Sequence, residues 1–84
     1  MKVTVTEALR MIARRAKKSI AQLSREITTK QPAALVNMVS RGNMKMKIGA
    51  AFAEACGYKM VFIPADVNVE DVDGIEIKGE VDKE

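Results

Sequence analysis

The chain has no histidine, no tryptophan and a single cysteine. With Cys56 as the sole thiol and no imidazole, the usual zinc constellations have no ligand set within one chain. Nucleophile–histidine pairs are also out of reach, so most hydrolase mechanisms lose their common general base. The clustered carboxylates lie near the C-terminal end, in a segment too small and open to build a dry pocket. Neither an enzyme nor a cofactor is expected. A lone cysteine forms no internal disulfide, and in its apolar surroundings Cys56 reads as a small buried hydrophobe in a reducing compartment. No apolar run approaches the roughly twenty residues that span a bilayer, and the first residues hold no apolar signal region. The expectation is a soluble, cytoplasmic protein without a membrane partner.

Aromatic residues are almost as scarce: Phe52, Tyr58 and Phe62 are the whole set. The core must therefore be aliphatic, with six methionines available as gap fillers. Met38, Met44, Met46 and Met60 are assigned to it. A chain of 84 residues is one small unit with a modest core. Pairing with a second copy is a natural way for it to bury more apolar surface.

Charge is plentiful but unevenly spread. Residues 1–60 carry twelve Lys/Arg against three carboxylates, a net +9. Residues 61–84 carry two lysines against eight carboxylates, a net −6. A basic body with an acidic tail is a pattern of nucleic-acid proteins, although an unevenly charged solvated surface gives the same count.

Local signals divide the basic body into four helices. Thr4 and Glu7 have capping-box spacing, and Val5, Leu9, Ile12 and Ala16 then fall on one face. Arg14, Arg15, Lys17 and Lys18 crowd the end of this helix, where cations suit its dipole and a solvated surface is the favoured reading. Ser19 and Gln22 form a second capping box, opening a short helix with Ile20, Leu23 and Ile27 inward and closed by Thr28 and Thr29. Pro32 suits a first helical turn, so a third helix is predicted over about 31–40 with Leu35, Met38 and Val39 inward. Arg41-Gly42-Asn43 stops it. A fourth helix follows over about 46–56, with Ile48, Phe52 and Ala55 or Cys56 in the core, Gly57 as its terminator, and many small residues that permit close helix approach.

Beyond Gly57 the pattern changes. Tyr58-Lys59-Met60-Val61-Phe62-Ile63 is a β-rich run closed by Pro64, and Ile75-Glu76-Ile77-Lys78 after Asp73-Gly74 is a second candidate strand. The first is expected to pair with the second, with another protomer, or with both, because an exposed apolar strand invites partners. Residues 66–73 read as a loop or an edge strand.

A short helix, a tight turn and a helix with an exposed polar start make up the grammar of a helix-turn-helix. Ser19-Ile20-Ala21-Gln22-Leu23-Ser24-Arg25 resembles the opening of the bracing helix in phage Cro/repressor-like (Xre-type) domains. Leu35-Val36-Asn37-Met38-Val39-Ser40-Arg41-Gly42-Asn43 resembles the end of their recognition helix. The finish Phe52-Ala53-Glu54-Ala55-Cys56-Gly57-Tyr58 is similar to that of the family's next helix, and is the most specific of the three. The resemblance covers about residues 5–64. Two positions depart from it: Thr28 stands where the family usually has a turn glycine, with the turn one residue longer, and Gly49 replaces a larger apolar residue. The second departure implies a softer core or a close contact.

The resemblance implies a mostly α, four-helix lambda-repressor-like domain over 1–64 with a C-terminal β-strand or hairpin, and an acidic tail or hairpin over 65–84. It implies a transcriptional regulator, a repressor of phage or mobile-element type, that binds double-stranded DNA as a homodimer through its C-terminal strand region. On the recognition helix, Lys30 can pair with guanine, Gln31 and Asn37 can make bidentate contacts to adenine, and Ala33 and Ala34 can touch a thymine methyl. Arg25, Arg41, Lys45 and Lys47 are assigned to phosphates, as are Ser19 and Gln22 at a helix start with free amides. The competing reading keeps the fold and changes the partner: an antitoxin or phage-encoded inhibitor whose acidic tail grips a basic protein.

Overall fold

A computed structural model of the chain, which describes residues 2–27 and 32–79, begins its first helix at the capping box. The Glu7 amide donates to Thr4 Oγ1 and the Thr4 amide donates to Glu7 Oε1, both at 3.1 Å. Two of the amides left open at a helix start are thereby satisfied. Among the described residues there are four helices in order: α1 (Val5–Arg15), α2 (Ile20–Ile27), α3 (Pro32–Arg41) and α4 (Met46–Ala55). Two short strands, β1 (Lys2–Val3) and β2 (Glu76–Ile77), and a 3-10 turn at Val69–Val72 are the other elements described. The segment joining α2 to α3, with the breaking residues Thr28 and Thr29, lies outside the described residues. No helix among the described residues is long and apolar enough to cross a membrane.

Ser19 caps α2 by accepting the Gln22 amide at 3.0 Å. The Gln22 side chain does not return the bond; its amide nitrogen reaches forward to Glu26 Oε1 at 3.4 Å. Three helices end in one way. The residue just past the helix takes a left-handed conformation, and the next amide reaches back to a carbonyl five residues earlier, as in Lys18 to Ala13, Asn43 to Met38 and Tyr58 to Ala53. Gly42 and Gly57 hold that position after α3 and α4, where a missing Cβ removes the steric penalty. After α1 the same position is held by Lys17, at φ 58°.

The aliphatic stripes meet in one cluster. Leu9, Ile12 and Ala13 of α1, Leu23 of α2, Leu35 and Val39 of α3, and Phe52 and Ala53 of α4 are buried together with Cys56. Phe52 and Leu23 are fully enclosed, and Leu35 and Val39 nearly so. Each such side chain contributes about 1.5–3 kcal/mol by leaving water. Ser24 is buried beside them and satisfied, its hydroxyl donating to the Ile20 carbonyl at 2.8 Å. The inward positions predicted for α1, α2 and α3 agree with this core.

Of the expected C-terminal β-strand or hairpin, a strand forms and a hairpin does not. β2 runs parallel to β1, with Lys2 opposite Glu76 and Val3 opposite Ile77, so the strand predicted at 75–78 finds its partner at the other end of the chain. Ile75 packs against the core and Lys2 Nζ lies 3.7 Å from the Glu76 carboxylate. Asp73, left-handed at φ 55°, closes the 3-10 turn and feeds β2; the turn signal is real, but no hairpin follows from it. Residues 66–73 are turn and 3-10 helix, and residues 58–63 join no sheet. The methionine assignment is likewise half right. Met38 and Met44 pack on the core, whereas Met46 and Met60 are exposed. Met60 keeps only its methyl end against α4, at Gly49, a buried position on the same face as Phe52 and Ala53, and the rest of its side chain is open. A Cβ built on Gly49 would sit 2.9 Å from the Met60 methyl.

Candidate nucleic-acid interface

α2 packs across α3, and burial divides α3 into two faces. Leu35 and Val39 are enclosed, whereas Ala33, Val36, Asn37 and Ser40 are exposed. At 100° per residue these four positions fall within one stripe about 100° wide, with every side chain short and uncharged. Ala33 and Asn37 are thus brought together on the open face as expected. Ala34 is half-buried at its edge. Lys30 and Gln31 lie outside the described residues. Val36 and Ser40 complete the stripe but escape a reading that follows single residue types; the three- and four-residue steps from Ala33 and Asn37 point straight to them.

The expected phosphate-binding set is exposed throughout: Ser19, Gln22, Arg25, Arg41, Lys45 and Lys47. Its members differ in freedom. Ser19 Oγ is engaged as the α2 cap, and Gln22 is held toward the Glu26 carboxylate. Neither ion pair among the described residues uses Arg25, Arg41, Lys45 or Lys47. Arg41 closes the far end of α3, about 12 Å along the axis from Ala33. There it lines a cleft of about 310 Å³ with Thr4, Val5, Thr6, Gly42 and Lys78.

The start of α4 defies the ordinary rule for helix charges. Its N-cap is Lys45, which makes no side-chain cap, and the first turn adds Lys47 and no acid. Cations there oppose the helix dipole and leave amides uncapped, an arrangement that an anion would satisfy. α2 and α3 also lack an acidic residue in the first turn, whereas α1 has Glu7. Helix starts free of carboxylates are thus grouped on the three elements that follow α1.

The cations at the end of α1 are not uniformly solvated. Arg15 Nη1 donates to the Tyr58 hydroxyl at 2.8 Å. Lys18 Nζ donates to Glu26 Oε2 and to the Ala55 carbonyl, each at 3.0 Å. These two side chains tie α1 and its exit to α2 and to the end of α4. Only Arg14 and Lys17 remain simply exposed, as expected of a solvated helix end. Burial pushes the Cys56 thiol up, with Lys18 opposing, so at neutral pH it is a protonated packing group.

The chain matches no family model, no curated protein and no solved structure. A functional reading therefore stands on its own residues and geometry.

Proposed function

We propose that the chain is a sequence-specific DNA-binding transcriptional regulator of the Cro/repressor (Xre) type, a repressor of phage or mobile-element kind acting as a homodimer. In this reading α2 and α3 are the helix-turn-helix, with α2 the brace and α3 the recognition helix in the major groove. The observation that carries it is the exposed α3 stripe of Ala33, Val36, Asn37 and Ser40, together with the exposed cations Arg25, Arg41, Lys45 and Lys47, which form no ion pair among the described residues.

Each part has a matching task. Asn37 offers one donor and one acceptor to an adenine edge, and Ala33 and Val36 present methyl groups to thymine. Gln31 and Lys30 would extend the reading at the start of the helix. Lys45 and Lys47 at the α4 N-terminus, with Arg25 and Arg41, would hold phosphates and set the register without reading sequence. No chemistry on the DNA is required; occupancy of an operator that overlaps a promoter is the whole action.

Selection from a pool of randomised duplexes tests the reading. The expected result is a recovered motif with twofold symmetry, bound about 10³-fold or more above scrambled DNA. Binding without sequence preference would contradict it, and the search would turn to a basic protein partner for the acidic segment.

A further inference from the structure

Three stretches remote from one another in the chain meet at the end of α3. Thr4, Val5 and Thr6 open α1, Arg41 and Gly42 close α3, and Lys78 follows β2; together they line the cleft of about 310 Å³. Short contacts tie its walls together. The Thr6 hydroxyl donates to the Val39 carbonyl, and Gly42 comes so near that a Cβ there would lie 3.2 Å from Thr6 Oγ1. The Lys78 amide donates to the Val3 carbonyl at 2.7 Å, which continues the β1–β2 pairing and brings Lys78 to the cleft.

The charge in this cleft has one sign. Arg41 and Lys78 are exposed cations, and among the described residues no acid lines the cleft and neither cation forms an ion pair. The carboxylates nearest in sequence are engaged elsewhere: Glu7 closes the capping box on Thr4, and Glu76 pairs with Lys2 at 3.7 Å. A smaller cleft of about 180 Å³ shows the contrast, since Arg15 shares it with Glu70 and Glu76. Two cations turned on one open space repel each other, and an anion between them converts that repulsion into attraction.

We propose that this cleft is a binding site for a phosphomonoester, the terminal phosphate of a small molecule. The Arg41 guanidinium is a planar fork that can take two phosphate oxygens, and Lys78 adds a point charge. Thr4 Oγ1 accepts the Glu7 amide and so keeps its own proton to donate. A phosphomonoester carries a charge of about −1.5 to −2 at neutral pH, which two cations match. A backbone diester carries only about −1, which one cation matches. The volume stands at the lower end of the roughly 300–1,000 Å³ of small-molecule pockets, with room for a phosphate and a small organic body. The site does not rest on the DNA reading. Under that reading, ligand and duplex compete for Arg41, so occupancy of the cleft weakens DNA binding.

Amide NMR of the full chain, without DNA and at fixed ionic strength, tests the proposal with methyl phosphate and dimethyl phosphate as probes. The first is a monoester; the second has the single charge of a DNA backbone phosphate. Methyl phosphate is expected to give saturable shifts at Thr6, Gly42 and Lys78 in the millimolar range. Dimethyl phosphate should bind at least about fivefold more weakly, the factor that one unit of charge gives at about 4 Å in water. Lys78→Gln keeps the backbone amide on Val3, and Arg41→Gln leaves the core untouched, so both variants should keep the helical content of wild type. Each should lose methyl phosphate affinity by at least about fivefold, whereas any shifts at Lys45 and Lys47 should persist. Equal affinity for the two probes would mark a diester contact and overturn the proposal. Shifts that never saturate would do the same, as would a Lys78→Gln variant that binds like wild type.

Discussion

The Thr6 hydroxyl donates to the Val39 carbonyl, joining the first turn of α1 to the last turns of α3. A few residues on, Gly42 approaches so closely that a Cβ there would lie 3.2 Å from the same Thr6 oxygen. The candidate recognition helix is therefore anchored at its far end by a short polar contact as well as by the core. Thr6→Val keeps the volume of the side chain and removes the donor. It should cost about 1 kcal/mol, which lowers Tm by about 4–8 °C in a domain of this size. Thermal unfolding followed by circular dichroism reads the change.

Lys17 holds a left-handed position that Gly42 and Gly57 hold after the other two helices. A side chain with a Cβ is strained there, and glycine relieves the strain while loosening the unfolded chain. Lys17→Gly should therefore gain about 0.5–1 kcal/mol, seen as a higher urea midpoint with an unchanged slope. The reverse change, Gly42→Ala, should lose more than that, because it adds the contact with Thr6 to the backbone strain.

Glu7 connects the helix start to pH. The Thr4 main-chain amide, then the Thr4 side chain, hold its carboxyl below the ordinary glutamate range. A depressed pKa in the folded state means that this contribution is complete above the unfolded value and is lost as pH falls through the folded one. Urea midpoints should fall on the acid side of the glutamate range, and Glu7→Gln should flatten that limb. Glutamine keeps the capping-box geometry but not the charge, so its midpoint at pH 7 should lie below that of wild type and the two should converge in acid.

What was legible in the sequence was local. Thr4 with Glu7 and Ser19 ahead of Gln22 mark helix starts because a cap bonds within three residues, and Leu9, Leu23, Leu35 and Phe52 follow a helical period that leads inward. The pairing of Glu76 with Lys2 was not legible, since a parallel bridge between the chain ends leaves no local trace. The run from Tyr58 to Ile63 has strand chemistry, yet composition says nothing about whether a partner strand is present. Gly49 was noticeable as a departure, and the structure gives the reason in the methionine seated over it. On α3, Asn37 was read from its chemistry, whereas Val36 and Ser40 needed the helix face to be known first.

The most direct test of DNA recognition is a salt titration on a selected duplex and on a scrambled one, comparing wild type, Asn37→Ala and Lys45→Ala/Lys47→Ala. Asn37→Ala should lose about 1–3 kcal/mol of discrimination at one base position and keep the salt slope. The lysine pair should weaken both duplexes alike and reduce the slope by about 2. If Asn37→Ala retains full discrimination, or the lysine variant retains the slope, α3 and the α4 start are not the DNA-reading surface.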